Sequence, residues 1–507
     1  MLWESIEQAQ AKIDAEILQL EARIYALRSS RNALTPAYRL PTEVLSDIFG
    51  LVQLLWTQDG LEYIPKWTTV THVSRHWRNI ALECGTLWSD ILLGCTSYAE
   101  EAIKRSGGAH ITLLDVYSGL PWDEKIKPLV LSVSPRLHKL VLSTIASRAL
   151  LPELADCISQ SLHELVLVNW DWATEKLFPK SLRSLKLHRS FVHWNWLQLP
   201  HLTELSINIS GTDSRTSVTS FTKLLNQMPL LTGLLLEDVF DETTYTGLVQ
   251  DEPDNIVSTS HPRLRSISLR GTISTITQLL SQIQLTEDFT LRIVAQGLAE
   301  DPITEFVQCL NKHLHSLRRF IRSIDISCTG SRSLRIGGMS AWASGNLFLA
   351  IELEASGSVQ YHWMKATQAL SFDELQTITG NAFHQYSHWE DSIFKSLKHL
   401  ALVLFTDGPS SSSFLEYLAK EAHTAEGRGS WVQPFFQPLN TLSVVEVQFT
   451  REMEVVLKAV LEEKMRRGFK LTCLILARCW VSDGAIEQFQ TVVSRVERGA
   501  TMETLQF

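Results

Sequence analysis

Leu162-His163-Glu164-Leu165-Val166-Leu167 is followed twenty residues on by Leu182-Arg183-Ser184-Leu185-Lys186-Leu187, and twenty further by Leu202-Thr203-Glu204-Leu205-Ser206-Ile207. One phrase, Leu-x-x-Leu-x-Leu, thus recurs at one spacing. Its closing Leu-x-Leu sets two apolar residues on one face of a short strand, and a repeat of this length marks units that bury their apolar edges on one another. The phrase returns at Leu137-Leu140-Leu142, Leu231-Leu234-Leu236, Leu264-Ile267-Leu269, Leu397-Leu400-Leu402, Leu439-Leu442-Val444 and Leu471-Leu474-Leu476, with a last fragment at Met502-Leu505-Phe507. Between phrases, Phe221 to Met228 and Met453 to Met465 carry helical periodicity. The expected fold class is therefore α/β, an irregular solenoid or horseshoe over 96–507 with strands in an inner layer and helices outside.

Residues between the strand leucines point away from that core. They are Lys139 and Val141, Glu164 and Val166, Ser184 and Lys186, Glu204 and Ser206, and Ser266 and Ser268. This mixed surface suits a protein partner better than nucleic acid and does not identify which protein. The phrase lapses from about 324 to 396, where Ser333 to Ile336, Leu347 to Leu353 and Val359 to Trp363 read as strands of antiparallel hairpins. Gly337-Gly338, Gly345-Asn346 and Gly357-Ser358 read as the turns of this β-rich insertion. Asp407 to Ser413, with four serines in a row, reads as a surface loop open to phosphorylation, and Arg428-Gly429-Ser430 as a second loop.

Before the repeats the composition changes. From Ser5 to Leu34, Ile6, Ile13, Leu20, Leu27 and Leu34 fall seven apart, and Ile17 and Ile24 fill the alternate seam, with Gln10 and Arg31 as its polar members. This segment, 1–35, is a helix or short coiled coil, and its stripe has two uses: packing against its own chain, or self-association. In 36–95, Pro41 and Glu43 suit a helix start, and Val44, Leu45, Ile48, Phe49 and Val52 recur at helical spacing. A second stripe, Val70, Val73, Trp77 and Ile80, follows Thr68-Thr69 as cap and stops near Gly85.

Leu40-Pro41-Thr42-Glu43-Val44-Leu45-Ser46-Asp47-Ile48-Phe49, then Val73-Ser74-Arg75-His76-Trp77, then Leu87-Trp88, resembles an F-box, the helical module that docks a protein onto a Skp-type adaptor and, through it, a cullin. The likeness is to the fungal F-box-like group with irregular leucine-rich repeats. It implies an adaptor-facing set of Leu40, Pro41, Leu45, Ile48, Phe49, Val73 and Trp77. It also implies a non-catalytic role, the substrate receptor of a ubiquitin ligase. Two departures stand out. Gly50 to Thr69, with Trp56, Tyr63 and Pro65, is longer than the family's connector, which keeps open a scaffold that retains the F-box fold without binding the adaptor. The asparagine of regular repeats is replaced by Ile145, Trp170, Ser190, Ser210, Val239 and Thr272, and only Leu476 to Ile486 resembles the cysteine-containing repeat, with Cys479 as a turn residue.

Other chemistry is weakly represented. Lys plus Arg number 46 against 55 for Asp plus Glu, a net charge of −9 that argues against a phosphate-binding surface. Seven scattered cysteines fit free thiols in a reducing compartment, and neither a signal pattern nor an apolar run of about eighteen residues occurs. The expectation is a cytoplasmic or nuclear protein with no membrane partner. No phosphate loop, Gly-x-Ser-x-Gly elbow or His-Glu-x-x-His helix is present, so neither catalysis, metal nor cofactor is expected. His384 and His388, beside Glu390 and Asp391 and interleaved with Tyr386 and Trp389, read as an amphipathic helix, and Asn208-Ile209-Ser210 as an idle glycosylation acceptor. Trp170 and Trp172, and Trp194 and Trp196, read as plugs of an irregular core or as partner anchors.

Overall fold

The computed structural model describes residues 2–58, 66–115, 124–157, 161–170, 178–209, 211, 214–241, 259–260, 263–285, 289–296, 300–317, 321–328, 333–340, 347–354, 375–380, 399–405, 407–425 and 439–499. The chain is mixed α/β and divides into two compact units, Met1–Phe191 and Val192–Phe507.

The first unit opens with helices α1 (Leu2–Ala33), α2 (Thr42–Gln58) and α3 (Arg75–Glu83). It continues as β1 (Asp90–Leu92), α4 (Thr96–Arg105), β2 (Ile111–Leu114), α5 (Ile126–Val133), β3 (Leu137–Leu142), α6 (Thr144–Cys157), β4 (Glu164–Val168) and β5 (Ser184–His188). Every strand is parallel to the one before it. Leu140, Leu165 and Leu185 stand in register and are fully buried. A leucine so placed contributes about 1.5–3 kcal/mol of apolar burial, which no strand this short could obtain alone.

The second apolar stripe of the N-terminal region is not one helix. Lys66–His72 forms a 3-10 turn in which the Thr69 and Thr71 hydroxyls donate backward to the carbonyls of Lys66 and Thr68, so Thr68-Thr69 does not cap α3. The cap is Ser74, extended at φ −158° and accepting from Trp77 N at 3.1 Å. Nor does Gly85 end α3 through a left-handed turn. It sits where a Cβ would come within 3.1 Å of the Ser106 carbonyl oxygen, so its role is close approach.

The second unit comprises β6 (Glu204–Asn208), α7 (Val218–Leu225), β7 (Gly233–Glu237), β8 (Thr259–Ser260), β9 (Ser266–Thr272), α8 (Ile273–Gln282), β10 (Ile283–Gln284), β11 (Thr290–Gln296) and α9 (Glu300–Leu317). Then come β12 (Ile321–Cys328), β13 (Ser333–Ser340), β14 (Leu347–Glu354), β15 (Thr377–Gly380), β16 (Leu402–Phe405), α10 (Gly408–Ala425), β17 (Thr441–Val445), α11 (Arg451–Arg466), β18 (Cys473–Ala477), α12 (Asp483–Val492) and β19 (Arg495–Arg498). Strands β6, β7, β9 and β11 are parallel neighbours, as are β15 to β19. Between these runs the pairing becomes partly antiparallel, in the region where hairpin strands were expected. β14 joins β11 in parallel, β13 pairs antiparallel with both β14 and β12, and β12 joins β15 in parallel. Among the described residues β13 alone runs against its neighbours.

Three expectations are corrected here. Gly337-Gly338 is not a turn but the middle of β13, with a register irregularity after Gly338 on the β14 side; glycine marks a bulge there. The phrase placed at Leu397 is displaced by three residues. Val403 pairs with Leu442, and the inward residues are Leu400, Val403 and Phe405, all fully buried, whereas Leu402 is half-exposed. Asp407 to Ser413 is a helix start rather than a loop. The Asp407 carboxylate accepts from Ser410 N at 3.3 Å, Pro409 suits the first turn, and Ser410 and Ser411 are wholly buried. Val359 to Trp363, Arg428 to Ser430 and Met502 to Phe507 lie outside the described residues.

One turn geometry recurs. Asn169, Arg189, Asp238, Glu446 and Arg478 have φ between 50° and 56°, and each directly follows a strand, β4, β5, β7, β17 and β18 in that order. A left-handed non-glycine residue costs about 1 kcal/mol, so its return at the same place marks a turn that the surrounding bonds impose.

Candidate functional site

Helix α2 has two faces. Leu45 and Phe49 are fully buried and Gln53 is buried, donating from Nε2 to the Leu87 carbonyl (3.4 Å) and to Asp90 Oδ2 (3.3 Å). On the opposite stripe, at i, i+4, i+7 and i+11, Val44, Leu51 and Leu55 stay open and Ile48 is half-buried. Val44 is 41 % exposed, Leu51 and Leu55 each 61 %, with Leu54 beside them at 57 %. The interior behind α2 is aromatic. Phe49 packs on Trp77 with ring centroids 5.1 Å apart, Trp67 meets Trp88 edge-on at 5.1 Å, and Trp88 Nε1 donates to the Ala81 carbonyl at 2.8 Å.

Of the seven residues expected to face a partner, Pro41 and Val73 are exposed, and Leu40, Ile48 and Trp77 are half-buried. Leu45 and Phe49 are corrected to interior residues, because a side chain with no accessible surface cannot touch a partner while α2 remains packed. Val44, Leu51, Leu54 and Leu55 were missed. The signal for them, an i, i+4, i+7 stripe, begins inside the quoted motif and continues past its end.

The strand face carries a built polar row. Asp90, Thr112, Lys139, Glu164 and Ser184 stand side by side across β1 to β5. Glu164 is held between two lysines, its Oε2 at 3.1 Å from Lys139 Nζ and its Oε1 at 2.9 Å from Lys186 Nζ. Burial works to raise its pKa, but the hydrogen bonds from Lys186 and Lys139 outweigh it and hold the carboxyl below its ordinary value. Asp90 goes the other way, raised by burial that Thr112 and Lys139 only partly offset. In the second unit Ser206, Leu235, Ser268 and Arg292 are in register, as are Glu204, Gly233, Ser266 and Thr290.

Among the expected substrate-facing residues, Lys139, Val141, Glu164, Lys186 and Ser268 are half-exposed, and Glu204 and Ser266 exposed. Val166, Ser184 and Ser206 are buried at 8–9 % exposure and are corrected to packing positions. A histidine stack was missed. His110, His138 and His163 lie at centroid distances of 5.5 and 4.7 Å, because each precedes or enters the same phrase in successive strands. Burial, then the charges of His163 and His110, lowers the His138 pKa.

Trp170 is buried at 2 %, and Trp194 donates from Nε1 to the Ser214 carbonyl at 2.8 Å while meeting Phe221 edge-on. Both serve the core. Trp480 is an open side chain, 72 % exposed, on a shallow cleft with Phe449, Arg451 and Glu454. The Glu454 carboxylate there is engaged in holding Ser482, accepting from its N at 2.8 Å and its Oγ at 2.9 Å. Among the described residues no three His, Cys, Asp or Glu side chains gather as a metal site, and Cys84, Cys95, Cys309, Cys473 and Cys479 are free thiols. Burial raises the pKa of the last three, favouring the protonated thiol. His384 and His388 lie outside the described residues, as does Trp172. No helix among the described residues is long and apolar enough to cross a membrane.

No family model and no curated protein matches this chain. A solved structure of a Bacteroides fragilis protein from a structural-genomics programme aligns at 10 % identity over 74 % of this chain and 68 % of its own, with a TM-score of 0.17. A likeness of that size carries no argument about fold or function.

Proposed function

We propose that this chain is the substrate-receptor subunit of a Skp, cullin and F-box type ubiquitin ligase. In this reading Leu40 to Ile91 is an F-box that docks the adaptor, and the strands and helices that follow are irregular leucine-rich repeats whose polar strand face recruits a protein. One observation carries it: α2 keeps Val44, Leu51 and Leu55 in water along one stripe, with the half-buried Ile48 between them, while its other face holds the box together. A soluble helix rarely leaves such a stripe open without a partner groove to receive it. The chain itself performs no chemistry. By holding a substrate lysine near a charged ubiquitin donor it raises effective concentration. Such a role places it in the cytoplasm or nucleus.

The test is co-purification with a Skp-type adaptor. Pro41→Ala combined with Ile48→Ala removes contact surface from exposed and half-exposed positions, so adaptor should be lost from a protein that still melts cooperatively. Undiminished co-purification would overturn the assignment of those two residues. A folded wild-type chain that ignores the adaptor would favour the non-catalytic scaffold.

A further inference from the structure

Helix α1 leaves its whole heptad seam in water. In the register set by Ile6, Ile13, Leu20 and Leu27 as d positions, Gln10, Ile17, Ile24 and Arg31 are the a positions. The six apolar members are all exposed: Ile6 43 %, Ile13 57 %, Ile17 47 %, Leu20 54 %, Ile24 48 % and Leu27 64 %. The helix touches its own chain elsewhere, where the Arg75 guanidinium lies 5.6 Å from the Tyr25 ring, at a b position outside the seam. Packing of the stripe on its own chain is therefore not what the fold does.

The flanking charges say what covers it. Glu7, Asp14, Glu21 and Arg28 occupy e, and Glu16 and Arg23 occupy g, all exposed. In a parallel pair g meets e of the next heptad, which would set Glu16 against Glu21 and Arg23 against Arg28, and stack Gln10 on Gln10 and Arg31 on Arg31. Reversing one helix brings a opposite d, g opposite g and e opposite e. Ile17 then layers on Leu20, Ile24 on Ile13, Gln10 on Leu27 and Arg31 on Ile6, so each polar seam residue meets an apolar one rather than its own copy. Glu16 faces Arg23 and Glu7 faces Arg28, each pair twice by symmetry, and among the flanking pairs only Asp14 against Glu21 sets like charges together. We infer that a second copy of this chain covers the seam, forming an antiparallel two-stranded coiled coil. Because each chain leaves its α1 at the C-terminal end, the two boxes then emerge at opposite ends of a rod about 48 Å long. The seam lies on α1 alone, so the dimer forms whatever α2 binds.

Sedimentation equilibrium of the full chain at micromolar concentration should give a dimer. Ile17→Asp with Leu20→Asp should give a monomer with unchanged thermal unfolding of the remainder. Glu16→Arg decides orientation: it sets guanidinium against Arg23 in the antiparallel pair and weakens the dimer on the order of tenfold, whereas in a parallel pair it meets Glu21 and tightens it. Adding Arg23→Glu should restore wild-type association. A monomeric wild type, a dimer that survives the seam double variant, or a dimer tightened by Glu16→Arg would each overturn the proposal.

Discussion

Ser190 and Cys479 do the same work in two different turns. The Ser190 hydroxyl is directed at the carbonyl of His188, two residues back, at 3.0 Å, and at Leu167 on the preceding strand at 3.3 Å. The Cys479 thiol is directed at Ala477, two residues back, and at Val444 on the preceding strand, both at 3.4 Å. Each follows a left-handed residue, Arg189 or Arg478. In these two turns a small side chain with one hydrogen to donate closes the turn.

That equivalence predicts unequal costs. Ser190 also accepts from Trp170 N at 3.1 Å in a buried site, so Ser190→Ala should lose about 1–3 kcal/mol in urea unfolding. The thiol is a weak donor, so Cys479→Ala should lose less, about 1 kcal/mol, and Cys479→Ser should stay within about 1 kcal/mol of wild type. In the folded protein Cys479 should label slowly with a thiol reagent at neutral pH, because burial keeps it protonated.

His138 predicts an acid-sensitive contribution to stability. The folded-state pKa of His138 lies below its ordinary value of 6.5, so the neutral ring is the form the fold prefers and unfolding takes up a proton. Stability contributed by His138 is then present above about 6.5 and falls as pH drops below it. His313, lowered by burial with Nε2 2.8 Å from the Leu280 carbonyl, acts with the same sign. Urea midpoints should fall between pH 7 and pH 5, and His138→Gln should make that fall shallower without removing it. An unchanged slope would assign the effect to other groups.

Two glycines predict opposite outcomes. A Cβ at Gly408 would lie 2.7 Å from the Glu446 carbonyl oxygen, so Gly408→Ala should cost about 1–3 kcal/mol by forcing α10 away from the turn. At Gly50, within α2, a Cβ meets nothing within 4 Å, and Gly50→Ala should stabilise by about 0.5–1 kcal/mol in thermal unfolding.

Much of this architecture was legible in the leucines. Leu140, Leu165, Leu185, Leu205 and Leu234 are buried where the repeated phrase put them, because a strand shared between neighbouring units tolerates only apolar side chains on its inner face. Strands β1, β2, β11 and β15 were not legible. Their inward residues, such as Ile91, Leu113, Ile293 and Ile378, belong to phrases too degenerate to match. At Asp407 the helix start was hidden because Gly408-Pro409 and serines read equally as a loop until the buried partner of Ser411, Val445 N at 3.0 Å, is known. The candidate docking surface was misjudged for a related reason. Spacing shows that α2 has two apolar stripes but not which of them the aromatic cluster of Trp67, Trp77 and Trp88 claims, and it claims Leu45 and Phe49.

The most direct measurement of the central claim is calorimetric titration of the full chain with purified Skp-type adaptor, wild type against Leu51→Asp with Leu55→Asp. Both positions are 61 % exposed, so the variant should fold as the wild type does. The account predicts saturable one-to-one binding by the wild type and a loss on the order of a hundredfold in the variant. A folded wild type that releases no heat and retains no adaptor, or a variant that binds as tightly as wild type, would contradict it.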